Sequence, residues 1–215
     1  MGSKPVSEFR LNCNQAFSLS EGRAGLGPGG RALRVGSQDA IANYFALARG
    51  EDRPVEPIDF VRASGGKPHD LIGTTYAILE LISPRFQAVL KEHGFSGWTT
   101  FPVRVILGDG SELDGYEGLA VIGRCGAIDD DLSEKVMLPP PVPEGRARPG
   151  LRGLCFPPKS WDGSDIFTPE GFAAIYVVER VKEALEEARV TNVAFERLTE
   201  IERTWSADGS SIEAE

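Results

Sequence analysis

The side chains that most often carry out chemistry are few and widely spaced in this sequence of 215 residues. The two histidines are His69, which is followed by Asp70, and His93. The three cysteines are Cys13, Cys125 and Cys155. A thiol or hydroxyl nucleophile needs a general base within hydrogen-bond reach, and no local motif places one beside either histidine. A catalytic site would have to be assembled from distant segments, and metal ligands are too sparse to predict a metal site.

A glycine-rich run, residues 25–30 (GLGPGG), matches the GxGxxG pattern of dinucleotide-binding loops. That site needs a preceding strand and a long helix opening on the last glycine, so that backbone N–H groups face the pyrophosphate. Here the preceding residues are polar, Pro28 has no N–H, and another glycine soon follows. Arg31 and Ala32 stand where a phosphate-binding loop has lysine and a hydroxyl. The run therefore predicts a flexible loop and no nucleotide cofactor.

Two short segments have the composition of a partner-binding surface. Asp129–Asp131 is an acidic triplet without the spacing of a calcium loop, so it is either a solvated turn or a patch for a lysine- or arginine-rich partner. Residues 161–165 (WDGSD) combine an aromatic ring with two carboxylates, a mixture typical of interface hot spots. The alternative is an Asx-type turn whose tryptophan fills the core. The predicted partner-binding residues are Asp129, Asp130, Asp131, Trp161, Asp162 and Asp165.

The charge balance restricts the kind of partner. Thirty-two acidic and 23 basic side chains give a net charge of −9, which repels nucleic-acid phosphates and anionic lipid and attracts basic proteins. The sequence shows no signal peptide and no apolar stretch near the ~20 residues of a membrane span. The odd, scattered cysteines favour reduced thiols. We expect a cytoplasmic protein that binds neither nucleic acid nor membrane, although export without a signal stays open.

Local patterns predict an α+β fold. A helix over 39–48 is capped by Ser37, a strand over 76–82 leads through Ser83 and Pro84 into a helix ending at Gly94, and a strand follows at 98–107. Residues 116–124 return as its hairpin partner. A second strand, helix and strand are predicted at 173–178, 179–189 and 193–198. We expect one mixed sheet built around two strand–helix–strand units and a β-hairpin.

Proline content suggests where the chain divides. Residues 138–150 hold five prolines and two glycines, so they predict a linker or an extended surface loop. The predicted divisions are residues 1–137, with the first unit and the hairpin, and residues 151–205, with the second unit packed on the first. Residues 206–215 are polar and predict a frayed tail.

The sequences of the two units resemble each other at an offset of 95 residues, which places Ile82 opposite Val177. We call them the echoing segments. Arg85 then matches Arg180, and Leu90 matches Leu185. Gly97 falls opposite Asn192, and these are residue types that tolerate a positive φ. The echo indicates either an ancestral duplication or two unrelated units that share the same helix signals.

Several of these motifs together resemble a bacterial family, the myxobacterial-type immunity proteins of polymorphic toxin systems. The likeness spans roughly Ile58 to Glu202. The residues that carry it are Ser83-Pro84-Arg85-Phe86, Leu90, Gly94, Gly97-Trp98, Phe101-Pro102-Val103, Gly115-Tyr116, Gly118-Leu119-Ala120-Val121, Gly123-Arg124-Cys125-Gly126, Trp161 to Phe167, Glu179-Arg180-Val181-Lys182 and Thr191-Asn192-Val193. The resemblance implies a cytosolic protein that binds and neutralises a cognate toxin. It carries over no active-site residues.

The sequence therefore predicts a binding protein without catalysis or cofactor, whose partner is a basic toxin neutralised by occlusion. Two alternatives stay open. One is a small-molecule enzyme that assembles His69, Cys125 and a carboxylate; the other is a regulatory module that binds a host protein.

Overall fold

The computed structural model describes residues 11, 13–22, 32–140 and 142–204. The predicted loop at 25–30 and the predicted tail at 206–215 lie outside these residues. The strands are β1 (Ala16–Glu21), β2 (Arg34–Ser37), β3 (Ile58–Ser64), β4 (Leu71–Thr74), β5 (Glu80–Ile82), β6 (Trp98–Ile106), β7 (Glu112–Leu113), β8 (Glu117–Val121), β9 (Gly123–Cys125), β10 (Glu134–Leu138), β11 (Arg148–Arg152), β12 (Ile166–Pro169), β13 (Ile175–Val178), β14 (Val193–Arg197) and β15 (Glu202–Thr204). The helices are α1 (Tyr44–Ala48), α2 (Pro84–Glu92) and α3 (Glu179–Glu187).

The fold is α+β, with mostly strands, but the expectation of one mixed sheet is wrong. The described strands form three sheets. In the first, β2, β4, β5, β8, β6 and β3 pair in that order and β3 pairs back to β2, closing a six-stranded barrel. The second has the order β14-β1-β13-β12-β9, and the third β10-β11-β15. Local periodicity did not reveal this division, because it does not specify which strands pair.

Strands β5 and β8 each contribute side chains to two separate hydrophobic cores. On β5, Leu81 points into the barrel while its neighbour Ile82 joins the larger core between the five-stranded sheet and the helices. On β8, Ala120 lies in the barrel core and Leu119 in the larger one. Successive strand residues face opposite sides of a sheet. The barrel wall is therefore also the surface on which the second half packs.

The helices follow their local signals in part. Helix α2 begins at Pro84 with Ser83 as its N-cap, as the sequence predicts, and the Ser83 hydroxyl accepts a hydrogen bond from the Phe86 N–H. Helix α1 is shorter than predicted. Asn43 caps it by accepting from the Ala46 N–H, and Ser37 instead ends β2. The predicted strand over 76–82 is reduced to β5, because Ile78 has a φ of 59° that a strand does not tolerate.

The proline-rich segment 138–150 begins and ends in strands. Leu138 is the last residue of β10 and pairs with Arg148, the first residue of β11. Pro149 lies in β11 opposite Met137, just before the pairing with β15 starts at Gly150. Proline is tolerated near a strand end because no ladder partner needs its missing N–H. Strands therefore occupy both ends of this segment, and the linker or extended loop stays a prediction for the residues between them.

Elements in the two echoing segments start 95 residues apart. Strands β4 and β12 begin at Leu71 and Ile166, and helices α2 and α3 at Pro84 and Glu179. The strand registers agree too: Leu71 pairs with Ile82 as Ile166 pairs with Val177.

In each segment, a strand from elsewhere in the chain separates the two strands that flank the helix. Strand β8 lies between β5 and β6, and β1 lies between β13 and β14. Since β1 belongs to the predicted N-terminal division (residues 1–137) and β13 and β14 to the C-terminal one (residues 151–205), the sheet crosses the predicted boundary. The division of the chain at the proline-rich segment stays a prediction.

Candidate partner-binding surface

Asp165, a predicted partner-binding residue, is 3% exposed. One of its carboxylate oxygens accepts from the N–H and the hydroxyl of Ser96, each at 2.9 Å. The other accepts from the guanidinium Nε of Arg180 at 2.7 Å. The carboxylate therefore links the turn before β6 to the N-terminus of α3 through hydrogen bonds to both. A buried carboxylate is tolerated only when it is paired in this way.

Asp70 makes the reciprocal contact 95 residues earlier. One carboxylate oxygen accepts from the N–H and the hydroxyl of Thr191, each at 2.8 Å, and the other accepts from the Ser83 hydroxyl at 2.7 Å. Burial disfavours the ionised form, but these hydrogen bonds and nearby Arg85 outweigh it and lower the pKa of Asp70. We name these two sets of contacts, Asp165 with Ser96 and Asp70 with Thr191, the reciprocal clasp.

Sequence reasoning missed this clasp, although a signal for it was present. Extending the offset of 95 beyond the matched helices equates Asp70 with Asp165 and Ser96 with Thr191. Ser96 directly precedes Gly97, which has a φ of 87°, and Thr191 directly precedes Asn192, which has a φ of 60°. Each aspartate therefore binds the residue before a positive-φ turn.

Trp161 is half-buried. Its indole N–H donates to the carbonyl of Ser164 at 2.9 Å, and its ring lies 6.1 Å from that of buried Phe167. Asp162 is exposed and accepts from the N–H groups of Ser164 and Arg124. The Asp162–Ser164 contact is an Asx turn. The 161–165 segment therefore contains both the turn and a partly exposed ring.

Trp161 and Asp165 line one surface groove of about 450 Å³. Its buried floor includes Leu11 and Val178, and Glu179 and Glu183 stand one helical turn apart on α3. The complete lining consists of Leu11, Gln15, Trp161, Gly163, Asp165, Val178, Glu179, Arg180 and Glu183. We name this the Trp161 groove.

The acidic triplet lies at a different depression. Asp129 caps a short 3₁₀ helix (Asp130–Leu132) by accepting from the Asp131 N–H at 3.0 Å. Asp130 is half-exposed and forms an ion pair with Arg203, and both line a depression of about 270 Å³ together with Phe172. Asp131 is exposed. Of the six predicted residues, Trp161 and Asp165 line the Trp161 groove and Asp130 lines the smaller depression, whereas Asp129, Asp131 and Asp162 line neither.

The cysteines and histidines lack the contacts of a catalytic pair. Burial raises the pKa of the Cys125 and Cys155 thiols to about 12, so both stay protonated at neutral pH. The His93 ring stacks on Phe95 at 5.3 Å. Across the described ranges neither histidine side chain is hydrogen-bonded to a cysteine, and no cluster of three His, Cys, Asp or Glu could hold a metal ion.

Two neighbouring carboxyl groups, Glu21 and Glu80, lie between the barrel and the five-stranded sheet. Glu21 on β1 accepts from the Gly73 N–H at 2.9 Å and pairs with Arg34 at 3.2 Å. The nearby Glu80 Oε2 is enclosed and has no hydrogen-bond partner among the described residues. Burial and, next, the charge of Glu21 raise the pKa of Glu80 to about 8. Glu80 is therefore largely protonated at neutral pH.

A comparison with protein-family models identifies the family of this chain. The model of an immunity protein family, Imm11, matches residues 26–200, which is most of the chain. The chain belongs to this immunity protein family. The match confirms the resemblance and contains the residues that line both depressions, except Leu11, Gln15 and Arg203. No curated protein matches the chain. Within the described part of the chain, no helix has the length and apolar content to span a membrane.

Proposed function

We propose that this immunity protein binds a cognate bacterial toxin in the cytoplasm and neutralises it by occlusion, without chemistry of its own. The observation that carries the proposal is the family match over residues 26–200. An immunity protein acts by recognising a toxin, so the relevant features of the chain are surfaces that can take part in an interface.

The surface chemistry supports a basic partner. The net charge of −9 gives a long-range attraction to a positively charged protein, and complementary charge mainly raises the association rate. The depression at Asp130 and the Trp161 groove each place carboxylates beside an aromatic ring, from Phe172 in the first and Trp161 in the second. Apolar anchors within a polar rim are the usual composition of a binding hot spot.

The thiols support occlusion over covalent chemistry. Nucleophilic catalysis by cysteine requires the thiolate, and the two buried thiols hold their protons well above neutral pH. A protein that works by occlusion must instead be present in at least equal amount to its target.

Co-expression with the protein encoded by the neighbouring gene, as the candidate toxin, tests the proposal. We expect the toxin alone to stop growth, the pair to grow, and the two purified proteins to elute together at a 1:1 ratio. Titrating the chain against toxin activity should give full inhibition only at equimolar amounts. Protection by far less than one equivalent would indicate turnover and an enzyme. No complex and no protection would reject the proposal.

A further inference from the structure

The Trp161 groove marks a position where the two echoing segments differ. Strands β1 and β8 occupy equivalent positions, because Ser18 pairs with Tyr176 as Gly118 pairs with Leu81. Gln15 in the groove therefore corresponds to Gly115, three residues before Gly118.

In the first segment the corresponding space is filled. Gly115 packs so closely on Pro84 that a Cβ would stand 2.7 Å from the ring, and its carbonyl accepts from the Gln87 amide at 2.9 Å. The Tyr116 hydroxyl donates to the His69 carbonyl at 2.9 Å. In the second segment Ala16 replaces Tyr116 and Glu179 replaces Pro84. Ser164 corresponds to His69, and its carbonyl accepts a hydrogen bond from the indole N–H of Trp161 instead of from a tyrosine.

The charges of the groove are not balanced. Arg180 is the one cation among the described lining residues and pairs with Asp165, and Glu179 lies 3.4 Å from Arg197. Exposed Glu183 has no ion pair with any residue in the described ranges. The groove therefore combines Glu183, which pairs with no cation among the described residues, with an aromatic ring and an apolar floor.

We propose that the Trp161 groove docks a lysine or arginine side chain of the toxin, with its aliphatic stem on the apolar floor and its charge beside Glu183 and Glu179. This inference rests on the proposed function and names the site at which it acts. A long cationic side chain can contact both the apolar floor and the carboxylates, because its stem is apolar and only its head is charged. The ring of Trp161 adds apolar surface for contact with the stem.

A direct test titrates the full chain with N-acetyl-arginine amide and follows the NMR signals of the Trp161 indole N–H and the Glu183 amide. Wild type and Glu187→Arg should show saturable shifts, with N-acetyl-glutamate amide giving none. Glu183→Arg should weaken the arginine titration at least fivefold. Glu187 lies one turn further along α3, is exposed, and is absent from the groove, so its variant matches the change in net charge. Equal titration of all three proteins would overturn the proposal.

The second test measures binding of the candidate toxin, the protein encoded by the neighbouring gene. Glu183→Arg should raise Kd at least tenfold and Glu187→Arg less than threefold; Glu179→Gln, which introduces no positive charge, should raise Kd severalfold. Toxin binding that is unchanged by both groove variants would reject the groove and leave the proposed function standing. Arginine binding that depends on Glu183, without any toxin binding, would instead reject the proposed function. A dimer that Glu183→Arg dissociates would assign the groove to a second copy and overturn the proposal.

Discussion

Asp70 and Asp165 stand 95 residues apart, and each carboxylate binds the turn that follows the helix of the other segment. Asp70 accepts from Thr191, and Asp165 accepts from Ser96. The main-chain bonds are reciprocal as well, since Leu71 N–H donates to the Thr191 carbonyl and Ile166 N–H to the Ser96 carbonyl. The two segments therefore hold each other by equivalent contacts, as expected of a duplicated unit packed on its copy. The duplication itself stays a hypothesis.

The clasp at Asp165 should be a major determinant of stability. Asp165→Ala leaves the Ser96 N–H and hydroxyl without their acceptor in a buried position, which we expect to lower the free energy of unfolding by about 3 kcal/mol. Arg180→Gln should cost less than about 1 kcal/mol, because the arginine side chain is 64% exposed. Urea denaturation of both variants checks this. Equal effects would mean that the ion pair, and not the buried hydrogen bonds, stabilises the clasp.

The turn at Gly97 should tolerate no side chain. Its φ is 87°, and a Cβ there would lie 2.0 Å from the Ile166 carbonyl oxygen. Gly94→Ala is the matched control, because Gly94 has a φ of 63° with nothing within 4 Å of a Cβ. The control should cost about 1–2 kcal/mol for the left-handed backbone alone, and Gly97→Ala several kcal/mol more or no folding. Thermal unfolding measures both. Similar melting temperatures would contradict the close approach of the two segments.

The buried carboxyl of Glu80 predicts a pH dependence. Its pKa in the folded state, about 8, lies above its ordinary value of 4.5. The folded state therefore binds more protons than the unfolded state between these values, and this group makes the protein less stable as pH rises from about 4.5 to 8. Glu80→Gln should remove that loss and stabilise the protein by a few kcal/mol at pH 9, with little effect at pH 4. Chemical denaturation at both pH values, with exposed Glu187→Gln as control, decides the matter. An unchanged pH profile would mean that Glu80 is ionised in the folded protein.

Local signals predicted the helices better than the sheets. The Ser83 cap and Pro84 act within a few residues, so the start of α2 could be read directly. Strand β1, in contrast, lies between two strands more than 150 residues away, and period-two alternation carries no information about such partners. The same limit applies to the site. The composition identified Asp130 and Trp161 as surface candidates, but the pairing of Asp130 with Arg203 depends on β15, which no local pattern connects to the acidic triplet.

The half-buried ring of Trp161 gives the last prediction, because its two roles have different consequences on truncation. Trp161→Ala should cost on the order of 2 kcal/mol or more of toxin binding, mainly through faster dissociation, if the ring is an interface anchor. If the ring only fills the core against Phe167, the change should cost roughly 3–5 kcal/mol of stability and leave binding by the folded fraction unchanged. We expect the first result with a smaller loss of stability, since the ring lines an open groove. Thermal unfolding and surface-plasmon-resonance kinetics of this variant separate the outcomes.

Tyr116→Phe is the control: it removes the equivalent hydrogen bond in the first segment, where the groove is filled, and it should leave dissociation unchanged. A strongly lowered melting temperature with normal kinetics would remove Trp161 from the binding surface.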